Sequence, residues 1–177
     1  MNTMQTTRNQ SSTPNAFMTD KLAVYARYEA AAQAHTDFCL RTPENWHPPD
    51  VAEFRELKRL LLPHAESGDT RSQYALATIL FLGLCCESEE QYVRSYDAAI
   101  AEATPWWTAA AKQGYWPALD SLLTCGVGTE AERLREASNQ LRRERPELIG
   151  QYQGMPIYGE EFMQELSRRI YGEVVTE

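Results

Sequence analysis

Ala103-Thr104-Pro105-Trp106-Trp107-Thr108-Ala109-Ala110-Ala111-Lys112-Gln113-Gly114, followed by Tyr115-Trp116-Pro117-Ala118-Leu119-Asp120-Ser121-Leu122-Leu123, is the stretch that decides the fold. It reads as two helices joined by one tight corner. Thr104 suits an N-cap and Pro105 the first helical position, where a missing N–H costs nothing and a fixed φ is already helical. Gly114 supplies the left-handed residue that ends the helix. Ala109, Ala110 and Ala111 let a second backbone come close, and Trp106 and Trp107 offer large apolar surfaces beside them. Of the two indoles, Trp106 is assigned to the core.

The same grammar stands upstream. Leu57 to Gly68 runs into Asp69 to Gly83, and Gly68 and Gly114 are 46 residues apart. Each glycine is followed four residues on by a small residue (Ser72, Ala118) and eight on by leucine (Leu76, Leu122). The chain here resembles the Sel1-like repeat family, relatives of the tetratricopeptide helical repeats. Ala103 and Trp106, Ala110-Ala111-Lys112-Gln113-Gly114, and Ala118 and Leu122 match one unit; Ala65-Glu66-Ser67-Gly68-Asp69, Leu76 and Gly83 match the other. Leu60, Ala77 and Leu80 stand where the family usually has Trp, Gly and Tyr. The match covers about 57–128, and the spacing implies an insertion of roughly ten residues over a short unit. The resemblance implies an all-α fold: a short right-handed α-solenoid of antiparallel helical hairpins, with extra N- and C-terminal helices.

A chain of 177 residues can bury a real core in one domain. We expect a disordered tail over 1–18, poor in hydrophobes, and a single helical domain over 19–177, with degenerate repeats at about 50–128 and capping helices at 129–172. With 25 acidic and 17 basic residues the net charge is −8. That disfavours nucleic acid as a partner, because phosphate binding needs a basic face. It favours a partner with a basic surface. Cys39, Cys85, Cys86 and Cys125 show no C-x-x-C spacing and are read as having no histidine at ligand spacing, so a reduced, cytoplasmic protein is expected. No secretion signal or membrane-spanning run is read in the sequence.

From Thr19 or Asp20 a helix is predicted with Leu22, Tyr25, Tyr28/Glu29, Ala32, His35 and Cys39 on its packed stripe. The proline-rich 42–49 is a loop, with Trp46 as a plug over the first two helices. Asp50 with Glu53, Ser88 with Gln91, and Thr129 with Glu132 read as capping boxes, and Asp69 as a further cap. Residues 89–103 form the inserted helix. The Arg and Glu residues of 130–145 read as paired on a solvated face. Met155 to Tyr158 and Val174-Val175 are ambiguous short segments. A last helix, Glu160 to Tyr171, is expected to cap the stack.

No phosphate loop, nucleophile elbow or zinc spacing is present. No catalytic residue, cofactor or metal is therefore assigned. The expected function is a non-catalytic protein–protein interaction module that clamps a partner on a solenoid groove. The resemblance implies adaptor roles, and by analogy an immunity protein or a chaperone for a bacterial secreted effector. The candidate contact residues are Tyr74, Thr78 and Phe81 on one helix face, Tyr92 and Tyr96 on the insertion, and Tyr115 and Trp116 at the corner. Two other classes stay open: an enzyme with an unrecognised active site, and a homo-oligomeric structural unit.

Overall fold

The computed structural model describes residues 14–41, 50–152 and 155–172. The expectations for Met1 to Thr13, for the Trp46 loop and for Val174-Val175 lie outside them. The described residues form α1 (Pro14–Arg41), α2 (Val51–Glu66), α3 (Thr70–Phe81), α4 (Glu89–Lys112), α5 (Trp116–Thr124), α6 (Gly128–Glu144), a 3₁₀ turn (Pro146–Leu148), β1 (Ile149–Tyr152), β2 (Met155–Tyr158) and α7 (Glu160–Tyr171). The architecture is all-α, with one small hairpin.

Three corners are built alike. Gly68, Gly83 and Gly114 have φ of 94°, 61° and 82°, which only glycine adopts cheaply. At each, the glycine N–H and the next residue's N–H turn back on the helix just ended. Gly68 and Asp69 donate to the Ala65 and His64 carbonyls, Gly83 and Leu84 to those of Leu80 and Ile79, and Gly114 and Tyr115 to those of Ala111 and Ala110. This pair of bonds satisfies the orphan carbonyls of a helix end. The two corners that the sequence aligned therefore share one hydrogen-bond pattern.

Side chains also tie those two corners together. Thr70 Oγ1 donates to Gln113 Oε1 at 2.8 Å, Gln113 Nε2 donates to Gln73 Oε1 at 2.9 Å, and Gln73 Nε2 donates to the Ala65 carbonyl at 3.1 Å. Gln73 is buried, so each of its bonds must be made.

The helices pack mainly on their chain neighbours, α2 on α3, α3 on α4 and α4 on α5, while α7 lies across α5 and α6. One buried cluster joins Val24 and Tyr25 of α1 to Phe54, Leu57 and Leu61 of α2 and to Ala75 and Ile79 of α3. A larger one centres on Trp107, with Leu76 and Leu80 of α3, Ala103 and Ala110 of α4, Leu119 and Leu122 of α5, and Phe162, Met163 and Leu166 of α7. α1 is further held by Lys21 to Asp69 at 2.7 Å, by Tyr25 Oη to Ser72 Oγ at 2.9 Å and by Arg27 to Glu53.

Several expectations are corrected. Thr104 is no N-cap: α4 runs unbroken from Glu89 through Pro105, so residues 89–103 and the helix that carries Trp106 and Trp107 are one element. Thr104 Oγ1 instead donates to the Ile100 carbonyl. With the helix phased from Glu89, the indole at the centre is Trp107, 1% exposed, and Trp106 packs partly buried on the core's edge. α1 begins at Pro14, and its packed stripe runs through Val24 and Tyr25, leaving Leu22 60% exposed. Ser88 caps α4, but Gln91 Oε1 accepts from the Glu87 N–H. Asp50 caps α2 through the Glu53 N–H, while the Glu53 carboxylate turns to Arg27. Thr129 caps nothing, because α6 begins at Gly128 behind Val127. Met155 to Tyr158 is a strand, paired antiparallel with Ile149 to Tyr152. Arg135 is not part of a solvated ladder: its guanidinium donates to the Leu123 and Gly126 carbonyls, capping the C-terminal end of α5. His35 Nε2 lies 3.6 Å from Cys39 Sγ, so one cysteine does have a histidine at ligand spacing, one helical turn away.

Two outcomes follow from this packing. Trp107→Ala should cost about 3–5 kcal/mol in denaturant unfolding, as large-to-small aromatic core changes do, and Trp106→Ala markedly less. Partial burial alone would raise the Asp69 carboxyl, but the Lys21 ammonium and the Ser72 N–H outweigh it and hold it below its ordinary value. Its contribution to stability is complete above the unfolded value of about 3.9 and is lost as pH falls through the lower folded one. Asp69→Asn, which keeps a capping oxygen, should flatten that acid-side slope, and Asp69→Ala should lose about 1 kcal/mol of capping as well.

Candidate partner-binding surface

Because α1, α3 and the start of α5 alternate with α2 and α4 along the chain, their side chains can meet on one side. They do so at a recess of about 190 Å³ lined by Tyr28 and Glu29 of α1, Arg71 and Tyr74 of α3, and Tyr115 at the Gly114 corner. The Tyr74 and Tyr115 rings meet edge to face, 5.2 Å between centroids. That volume is below the roughly 300–1,000 Å³ of small-molecule and cofactor sites. It accommodates one side chain.

The lining combines tyrosine phenols with one carboxylate and one guanidinium. Burial pushes the Tyr28 phenol up to about 12, with the Thr78 hydroxyl beside it pulling slightly the other way. Burial raises the Tyr115 phenol too, helped by neighbouring Tyr74. Both rings therefore stay protonated at neutral pH. Glu29 and Arg71, one carboxylate and one guanidinium, both line the recess and form no ion pair within 4.0 Å among the described residues.

The seven candidates separate into two groups. Tyr74 and Tyr115 meet at the recess, Thr78 lies behind them with its hydroxyl donating to the Tyr74 carbonyl at 3.0 Å, and Trp116 follows Tyr115 directly, 45% exposed. Phe81, Tyr92 and Tyr96 gather at the other end of α3, where Phe81 lies 5.1 Å from Trp107 and 6.4 Å from Tyr96. There Tyr92 is a brace. Its hydroxyl donates to the Phe81 carbonyl at 3.2 Å, and its ring covers Gly83 so closely that a Cβ on that glycine would stand 2.2 Å from it. Of this second group only Tyr96 presents much surface, at 40% exposed.

Sequence reasoning missed Glu29 and Arg71 as lining residues and put Tyr28 on a packed stripe. The available signal was that Arg71 and Tyr74 share the face that Tyr74 and Thr78 define. Among the described residues no helix is long and apolar enough to cross a membrane.

Between the ordinary phenol value of about 10 and the Tyr28 value of about 12, the unfolded chain ionises first, so rising pH weakens the fold. Tyr28→Phe should flatten that alkaline decline relative to the parent in paired unfolding curves.

Comparison with family models, with curated proteins and with solved structures finds no match for this chain.

Proposed function

We propose that this protein is a non-catalytic interaction module, a short right-handed Sel1-like α-solenoid that receives a partner protein on the side formed by α1, α3 and the start of α5. The observation that carries the reading is the tyrosine-lined recess on that side, sized for one side chain and lined also by Glu29 and Arg71. Rigid aromatics supply contact area at low entropic cost and dominate binding energy where they anchor. The solenoid reading is supported by the like-built corners at Gly68 and Gly114 and by helices that pack on their chain neighbours. The net charge of −8 steers a partner with a basic surface. An immunity protein, or a chaperone or adaptor for a bacterial secreted effector, acting in the cytoplasm, fits these features.

The test is co-purification from the producing cell with the parent chain and with Tyr74→Ala and Tyr115→Ala. The expected result is one stoichiometric protein retained by the parent and lost by variants whose melting curves remain cooperative. Retention by both variants would place the contact elsewhere. Turnover of a substrate by the isolated chain would overturn the reading.

A further inference from the structure

His35 and Cys39 lie one turn apart on α1, away from the tyrosine recess, with Nε2 and Sγ separated by 3.6 Å. A tetrahedral metal with bonds of about 2.3 Å to sulfur and about 2.05 Å to imidazole nitrogen sets its two donor atoms about 3.6 Å apart. The two side chains therefore already stand at the bite of a chelate. Both residues are half-buried, and the contact between their donor atoms is part-buried. The imidazole is fixed edge-on against the Phe54 ring, 6.1 Å between centroids and 87° between planes.

We propose that His35 and Cys39 form an open, two-residue site for a soft divalent cation of the zinc class. The donor set decides the class: thiolate with imidazole selects zinc, cadmium or cobalt over magnesium and calcium, which take oxygen ligands. Among the described residues no group of three or more His, Cys, Asp or Glu side chains is placed to hold a metal ion, so the proposed site rests on these two donors. On binding, the thiol releases its proton to solvent as the sulfur–metal bond forms. The imidazole donates its Nε2 lone pair and keeps its hydrogen on Nδ1. Water fills the two remaining positions, which a donor from another molecule can displace. The chelate would clamp the last turns of α1.

The experiment uses the full chain, reduced and stripped of metal, titrated with Co²⁺. A thiolate-to-cobalt charge-transfer band in the near ultraviolet should grow to saturation and be displaced by Zn²⁺. Cys39→Ser should remove it. His35→Gln should weaken it by more than the roughly 10–100-fold that loss of an outer-shell partner costs. Cys85→Ser should leave it unchanged. Alkylation of the parent chain gives an independent readout that needs no variant: Zn²⁺ should slow modification of Cys39 and spare the rates at Cys85, Cys86 and Cys125. No band at millimolar cobalt, a band unaltered by Cys39→Ser or His35→Gln, or a Cys39 alkylation rate indifferent to zinc would each overturn the proposal and reduce the contact to a thiol–imidazole hydrogen bond.

Discussion

The close approach of α4 to α3 is the constraint on which the rest of the structure depends. Ala103, Ala110 and Ala111 on one helix and Ala77 on the other are buried to 1% exposure or less in the cluster that holds Trp107, and side chains that short let the two backbones approach beside the indole. Holding that geometry requires α4 to continue through Pro105. A proline inside a helix costs about 3 kcal/mol, whereas burying an indole removes roughly 150–250 Å² from water, worth about 4–6 kcal/mol gross at 25 cal/mol per Å². Ending the helix at Pro105 would spare the proline's cost and forfeit the burial of the indole. Burial outweighs the proline, and the helix runs on.

The same competition between local and tertiary preference explains which parts of the fold were legible. The corners were, because Gly68 and Gly114 carry a backbone requirement that no tertiary contact can change. Caps at Asp50, Asp69 and Ser88 were legible for a related reason: the side chain's partner lies three residues away and travels with it. The span of α7 came out residue for residue, since Gly159 and Gly172 bracket a strongly amphipathic run. The choice between Trp106 and Trp107 was different. A stripe from Ala103 to Ala110 can pass through either, because steps of three and four both keep to one helix face. Only the phase set by Ile100 and the residues before it decides, and a helix started at Pro105 discards that phase. The hairpin of β1 and β2 escaped for want of length: four residues, one a glycine or a proline in each strand, carry no alternation to read.

The surface was legible in part for the same physical reasons. Tyr74 lines the recess from a helix face that repeats within one element, whereas Phe81, two turns on, packs against Trp107 instead. Tyr28, Glu29 and Arg71 reach the recess from two helices more than forty residues apart, and no local pattern encodes that meeting. Tyr92 shows the opposite failure. An aromatic on an inserted helix suggests a contact residue, yet a glycine at the end of α3 makes room for its ring and turns it into a brace. Arg135, one arginine among five between Arg133 and Arg145, is distinguished only by lying opposite the open carbonyls of α5.

The glutamine relay gives the proposed binding side its mechanical character. Thr70, Gln113, Gln73 and the Ala65 carbonyl span two corners with three hydrogen bonds, and the buried Gln73 loses its partners if either corner moves. An unsatisfied buried amide costs about 1–3 kcal/mol, so displacing one corner relative to the other is opposed twice, by broken bonds and by lost packing. Arg71 and Tyr74 follow directly on the first corner and Tyr115 on the second, so their spacing is inherited from the relay rather than set by the side chains themselves. Ordering loops and side chains is among the main costs of association. A recess whose walls are fixed to helix ends that already hold each other has little of that cost left to meet, and on the proposed reading its affinity depends on how well a partner's side chain fills the space beside the contacting Tyr74 and Tyr115 rings.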